Sequence, residues 1–150
     1  MQIVLFEPEI PPNTGNVARL CAATGTRLNL IEPLGFSIDD KHLKRAGLDY
    51  WPHVDVSVWP NWEAFADLAQ GRVVLSSARH GARYDKFDYR PDDIRVLGPE
   101  TRGLPEEMFK RYPDLVRMPI RGEVRSLNMS TAAGILLYTA YSRMDFEGWE

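Results

Sequence analysis

Cysteine is almost absent from this chain, because Cys21 is the only one in 150 residues. A single cysteine excludes the intramolecular disulfide framework that stabilises many small secreted domains. Cys21 lies at helical spacing with Val17, Leu20 and Thr24, which favours a buried core thiol over a nucleophile, since burial raises the pKa of a thiol. Long apolar runs and the basic start of a signal peptide are also missing. These absences predict a soluble cytoplasmic protein.

An excess of positive charge is missing too. The chain has 18 Lys and Arg against 21 Asp and Glu, with a net charge of −3 and a pI of about 5.6. This balance argues against indiscriminate binding of nucleic acid but leaves room for local basic patches. Three basic clusters are present, each of which alone is typical of a solvated surface: Lys41, Lys44 and Arg45; Arg79, Arg83 and Lys86; and Arg117, Arg121 and Arg125. His42, His53 and His80 lack the paired spacing of metal ligands, so we expect no metal site.

Short β-type runs alternate with helical patterns along the whole chain. This alternation is typical of βαβ units and predicts one α/β domain, residues 1–150, with a mainly parallel sheet. The predicted strands are Ile3–Phe6, Leu28–Ile31, Val54–Trp59, Val73–Ser76, Ile94–Leu97 and Leu115–Pro119. The predicted helices are Gly15–Thr24, Asp39–Ala46, Trp62–Ala69, Glu106–Tyr112 and Met129–Met144. We expect Asn13 or Thr14 to cap the first helix, Gly25 to end it, and Pro105 to be the first helical residue of the fourth.

The last helix has apolar residues on almost every side. Such a helix must be covered all round, either by another element of the chain or by a second subunit. The second subunit is the favoured interpretation, so we expect a homodimer.

Three loops that each follow a strand and precede a helix are rich in Gly, Pro, Asn and charged residues: Pro8–Asn16, Gly98–Pro105 and Arg121–Ser130. Ligands bind at this end of open α/β sheets. Glu100 would repel a phosphate but could accept hydrogen bonds from ribose hydroxyls. Since the chain also has no Walker or dinucleotide-binding glycine motif, the loops favour a cofactor that contains a nucleoside but no phosphate.

Three motifs occur in a characteristic order: Asn13-Thr-Gly-Asn-Val-Ala-Arg19, Gly98-Pro-Glu-Thr-Arg-Gly103-Leu-Pro, and Arg125-Ser-Leu-Asn-Met-Ser130. Together with the sequence segments Glu32–Phe36 and Asp40–Tyr50 between them, these motifs resemble SPOUT-class RNA ribose 2′-O-methyltransferases over nearly the whole chain. The resemblance is to the small single-domain branch that methylates the wobble nucleotide of certain tRNAs. Thr131 and the sequence Tyr141-Ser142-Arg143 depart from that branch, which usually has Asn and aromatic-Arg-Gln there.

The resemblance implies an α/β fold with a C-terminal trefoil knot, S-adenosylmethionine as cofactor, and the tRNA anticodon region and a second copy of the chain as partners. It places the cofactor against Leu75, Gly98, Glu100, Gly103, Met118, Ile120, Ser126 and Leu127. It makes Arg19 the residue that grips the phosphate and lowers the pKa of the ribose hydroxyl, and it gives Asn13 and Arg125 a role in positioning RNA. Asn128 completes the polar rim with a catalytic role, and Glu100 is either catalytic or structural. Another RNA substrate, or a non-catalytic dimeric module that binds cofactor or RNA, remain the alternatives.

Overall fold

The computed structural model describes residues 1–38, 41 and 48–149. Within these ranges the chain forms one parallel sheet in the order β3-β2-β1-β6-β4-β7-β5. Its strands are β1 (Gln2–Phe6), β2 (Arg27–Ile31), β3 (Val56–Trp59), β4 (Val73–Ser77), β5 (Ala82–Arg83), β6 (Ile94–Leu97) and β7 (Leu115–Arg117). The α/β class and the six expected strands are confirmed, but β3 begins two residues later than expected, at Val56, and β7 ends two residues earlier, at Arg117. Strand β5 was not expected, because two residues are too few to show a period-two pattern.

The described helices are α1 (Pro11–Thr24), α2 (Trp62–Ala66), α3 (Glu106–Arg111) and α4 (Met129–Arg143), with a 3₁₀ helix at Leu48–His53. The expected helix Asp39–Ala46, with Lys44, Arg45 and His42, lies outside the described residues except for Lys41. The expected Trp62–Ala69 helix ends earlier, at Ala66. The trefoil knot stays a prediction.

Two predictions about helix starts were wrong. Helix α1 begins four residues earlier than expected, with Ile10 as its N-cap and Pro11 and Pro12 as its first two residues. Asn13 and Thr14 are therefore inside the helix and do not cap it. Pro105 has extended backbone and is the N-cap of α3 rather than its first helical residue. In contrast, Gly25 ends α1 in the left-handed conformation as expected, with φ of 64°.

Both faces of the sheet are covered, which explains why its central strands are continuously apolar. Ile3 and Leu5 point to one face, where they pack with residues of α1 and α4. Val4 and Phe6 point to the other face, where they pack with residues of α2 and α3. Cys21 is on the buried face of α1 as expected, and this burial raises the pKa of its thiol to about 12.

The last helix, α4, is covered only in part by its own chain. Five of its residues are buried: Met129, Ala133, Leu136, Leu137 and Ala140. Tyr138 is 42% exposed and contacts the rings of Phe146 and Trp149, while Ile135 is 36% exposed. The turn that follows the helix therefore covers part of its remaining surface and leaves an apolar strip at the surface. No helix in the described ranges is long and apolar enough to cross a bilayer.

Candidate active site

A cavity of about 630 Å³ opens at the carboxyl edge of the sheet. The segments that follow β4, β6 and β7 line it, together with the start of α1 and the first turns of α4. Parallel strands bring all these loop starts to one edge, which is where ligands bind in open α/β sheets. The expected residues that line the cavity are Asn13, Gly98, Glu100, Gly103, Met118, Ile120, Arg125, Ser126, Leu127 and Asn128. All three predicted loops thus meet at one site.

The Glu100 carboxylate holds the start of α1. Its Oε1 accepts a hydrogen bond from the Glu9 N–H at 3.0 Å, and its Oε2 accepts one from the Ile10 N–H at 2.6 Å. The first residues of a helix normally leave several N–H groups without intrahelical partners. Here Pro11 and Pro12 have no N–H, so Glu100 supplies acceptors for the two groups that remain just before them. This geometry gives Glu100 a structural role.

Glu9 makes a second set of hydrogen bonds between the same two loops, with its side chain as the acceptor. Its carboxylate accepts hydrogen bonds from the N–H of Thr101 at 3.0 Å and from the Thr101 hydroxyl at 2.8 Å. The hydrogen bond from the Thr101 N–H is the main cause that lowers the pKa of Glu9 below its usual value. The loops at 7–10 and 98–103 are therefore joined in both directions.

Asn13 connects this pair to the third loop. Its side chain is nearly buried, its Nδ2 lies 3.4 Å from Oε2 of Glu100, and its Oδ1 accepts a hydrogen bond from Nδ2 of Asn128 at 2.9 Å. Asn128 in turn is the N-cap of α4, because its Oδ1 accepts from the N–H groups of Ser130 and Thr131. One hydrogen-bonded chain of side chains thus runs from Glu100 through Asn13 to Asn128.

Glycine is required where the middle loop folds back on itself. A Cβ at Gly98 would lie 2.5 Å from the backbone nitrogen of Leu104. Gly103 has φ of 68°, a left-handed conformation that other residues rarely adopt. Both glycines shape the wall of the cavity through the backbone.

Two expected site residues do not line the cavity. Leu75, expected against the cofactor, is fully buried in the core that faces α2 and α3, one residue before the lining segment begins. Arg19, expected at the reacting hydroxyl, is exposed on α1. Because a helix rises about 1.5 Å per residue, Arg19 lies roughly 9 Å along the helix axis from Asn13, which does line the cavity.

The comparison with known proteins agrees with this architecture. Residues 1–138 match the sequence profile of the SpoU rRNA Methylase family. The chain belongs to the SpoU rRNA Methylase family. The match spans every element that contributes to the cavity, from β1 into α4.

Proteins similar to this chain align with it over almost their full length. The tRNA (cytidine(34)-2′-O)-methyltransferase of Methylovorus glucosotrophus is 52% identical over 97% of both chains. The protein of the same name from Aeromonas hydrophila is 43% identical over 99% of this chain and 97% of that one.

Solved structures show the same fold. One from work on the 2-OH methylation of C/U34 on tRNA has a TM-score of 0.92 at 45% identity, covering 97% of both chains. An AdoMet-bound rRNA methyltransferase from Sinorhizobium meliloti has a TM-score of 0.86 at 25% identity, covering 95% of this chain and 56% of that one.

Sequence reasoning missed one wall of the SpoU-type cavity, the segment from Ser76 to Arg79. The Ser77 hydroxyl accepts hydrogen bonds from the N–H groups of Arg79 and His80 and so folds this segment into a tight turn. A signal was available, because the segment begins at the last residue of the predicted strand Val73–Ser76. Thr101 and Arg102 of the middle loop also line the cavity, and Arg102 pairs with Glu7 at 3.2 Å.

The two departures from the resembled branch leave this network in place. Thr131 contributes its backbone N–H to the Asn128 cap at 3.2 Å, and any residue except proline can do this. Arg143 donates to the backbone oxygen of Asp85 at 2.7 Å. Neither residue lines the cavity.

Proposed function

We propose that this protein transfers the methyl group of S-adenosylmethionine to the ribose 2′-hydroxyl of nucleotide 34 of tRNA, a cytidine or a uridine. One observation carries the proposal: hydrogen bonds join the three motif loops around a single cavity. The chain with this site is 52% identical to a tRNA (cytidine(34)-2′-O)-methyltransferase over 97% of both chains. A tRNA substrate supports a cytoplasmic location for the protein.

The residues around the cavity fit S-adenosylmethionine. A volume of about 630 Å³ lies within the usual range for cofactor sites. Leu97, Met118 and Ile120 provide apolar walls suited to an adenine ring, and the backbones of Gly98 and Gly103 add polar groups beside them. The Glu100 carboxylate contributes negative charge near a ligand whose sulfonium is positive.

S-adenosylmethionine supplies an electrophilic methyl group when it is bound. The task of the protein is then to align the ribose oxygen with that methyl group and to favour loss of the hydroxyl proton. Arg19 is our candidate for the second task. Arginine stays protonated in proteins, so it cannot act as a base. It binds the adjacent phosphate and stabilises negative charge on the ribose oxygen.

Arg19 does not line the cavity of its own chain, so this role requires a second protomer. We propose a homodimer in which Arg19 of one chain serves the cavity of the other. The apolar strip on α4, which includes Ile135 and Tyr138, supports such an interface. A stable folded monomer at micromolar concentration in equilibrium sedimentation would exclude this arrangement.

The decisive experiment for the function is to incubate the protein with labelled S-adenosylmethionine and total tRNA and to map the methylated nucleotide. We expect a 2′-O-methyl group at position 34 of a subset of tRNAs. Methylation only at another nucleotide, or none, would refute the proposal. Binding of the cofactor is tested separately, because a ligand that binds only the native state raises the melting temperature.

The role of Arg19 is tested with Arg19→Lys, which keeps the charge but loses the planar fork. Single-turnover methylation should fall on the order of 10²–10³-fold, while cofactor affinity stays unchanged. Action across the dimer is tested by mixing Arg19→Lys with Ser126→Trp, which fills the cavity. Random pairing makes about half of the dimers hybrids with one complete site each, so about a quarter of the wild-type rate should return. No recovery in the mixture would mean that Arg19 acts within its own chain, and full activity of Arg19→Lys by itself would remove Arg19 from the mechanism.

A further inference from the structure

The arginines of this acidic protein differ in whether a carboxylate neutralises them. Six of those in the described part of the chain form ion pairs, namely Arg27 with Asp55, Arg72 and Arg95 with Asp93, Arg83 with Asp85, Arg102 with Glu7 and Arg111 with Glu63. Arg79 and Arg125 both line the cavity and are exposed, and neither has a carboxylate partner among residues 1–38, 41 and 48–149. Two unneutralised guanidinium groups therefore lie on the rim of one cavity, although they belong to basic clusters far apart in the sequence.

The backbone that carries Arg79 is held on both sides. Before it, the Ser77 hydroxyl accepts hydrogen bonds from the N–H of Arg79 at 3.2 Å and from that of His80 at 3.1 Å. After it, Gly81 has φ of 105° and packs so closely on Leu115 that a Cβ would lie 2.5 Å from the Leu115 side chain. The next residues form β5, which pairs with β7. A side chain on such a fixed base loses less freedom on binding a ligand than one on a loose loop.

We propose that Arg79, together with Arg125, binds backbone phosphate of the RNA substrate at the mouth of the cavity, so that Arg79 is a positioning residue for the ribose. The inference rests on the proposed function, because it specifies how that substrate is held. A net charge of −3 repels RNA as a whole, so binding requires local cations that are not neutralised by the protein's own carboxylates. The planar guanidinium fork of arginine matches phosphate oxygens in a bidentate geometry.

The experiment measures the affinity for tRNA as a function of salt between about 50 and 200 mM, for the wild type and for Arg79→Gln. Each phosphate neutralised by the protein contributes roughly 0.7 to 0.9 to the slope of log affinity against log salt. Loss of the Arg79 contact should reduce the slope by that amount and weaken binding about five- to eightfold at about 0.1 M salt. Arg79→Lys keeps the charge and should keep the wild-type slope.

The matched control is Arg83→Gln, four residues further along the same segment, because Asp85 already neutralises that guanidinium. We expect its slope to equal that of the wild type, and melting temperatures to show that every variant is folded. Affinity for S-adenosylmethionine should be the same in all four proteins.

Equal salt slopes for the wild type and Arg79→Gln would overturn the inference. So would a loss of cofactor affinity in Arg79→Gln with an unchanged slope, since the anion would then be the carboxylate of the cofactor. If the wild type itself does not bind tRNA, the proposed function fails and this inference fails with it. Tight tRNA binding with equal salt slopes would refute this inference and leave the proposed function standing.

Discussion

Replacing Glu100 with alanine tests whether this carboxylate acts on the fold or on the reaction. The side chain accepts two short hydrogen bonds, from the N–H groups of Glu9 at 3.0 Å and Ile10 at 2.6 Å, and one long contact of 3.4 Å from Asn13. Hydrogen bonds to a charged acceptor are worth about 1.5–3 kcal/mol when buried. These are partly exposed, so we count about 1 kcal/mol for each short bond and little for the long one. Glu100→Ala should then lower the free energy of unfolding by about 2 kcal/mol.

For a domain of this size, that loss corresponds to a melting temperature about 4–8 °C lower. Glu100→Gln keeps one carbonyl acceptor and should lose about half as much. The assay is thermal unfolding followed by circular dichroism, in parallel with single-turnover methylation of tRNA. Glu123→Ala is the matched control, since Glu123 is exposed and makes no hydrogen bond in the described part of the chain. Its stability should change by less than about 0.5 kcal/mol.

Two results would refute the reasoning. An alanine variant with the wild-type melting temperature would show that the capping contacts contribute nothing to stability. A glutamine variant that melts like the wild type but methylates on the order of 10²–10³-fold more slowly would show that Glu100 acts on the reacting groups. The structural role predicts the opposite pattern, a lowered melting temperature with most of the single-turnover rate retained.

Three further variants test the remaining structural assignments. Burial raises the pKa of Cys21 to about 12, so the unfolded state releases this proton first as pH rises past about 9. The free energy of unfolding in urea should therefore fall by about 1.4 kcal/mol between pH 8 and 10. The Cys21→Ala variant should lack this loss. Arg95 is 1% exposed, and its three guanidinium nitrogens have no hydrogen-bond partner in the described part of the chain, although one of them lies 4.0 Å from Asp93. Because Asp93 keeps its ion pair with Arg72, Arg95→Met should leave the urea midpoint unchanged or raise it, whereas a loss above about 1 kcal/mol would contradict this. Asn128→Ala removes the α4 cap and should lower the free energy of thermal unfolding by about 1 kcal/mol. Asn128→Asp keeps the cap but loses the donor to Asn13, so it should weaken only the hydrogen bond between these two loops.

Local sequence determined most of the secondary structure. The alternation of Ile3 and Leu5 with Val4 and Phe6 supplies apolar side chains to both faces of the sheet, so the strand could be predicted without knowledge of its neighbours. Gly25 ends α1 for an equally local reason, because glycine adopts the left-handed conformation at little cost. The three motif loops were predicted to meet because parallel strands bring their carboxyl ends to one edge.

The tertiary structure alone decided what the polar residues of those loops do. Asn13 has the chemistry of a helix cap, yet the helix begins before it, because a carboxylate some 90 positions away in sequence holds the preceding N–H groups. The resemblance placed Leu75 against the cofactor and Arg19 at the reacting hydroxyl. The pleat of β4 turns Leu75 into the core, and the rise of α1 carries Arg19 beyond the cavity of its own chain. Arg79 shares a rim with Arg125 only because β4 lies beside β7. Helix caps and strand periodicity depend on residues a few positions apart, whereas a hydrogen bond between loops depends on distances that only the packed sheet creates.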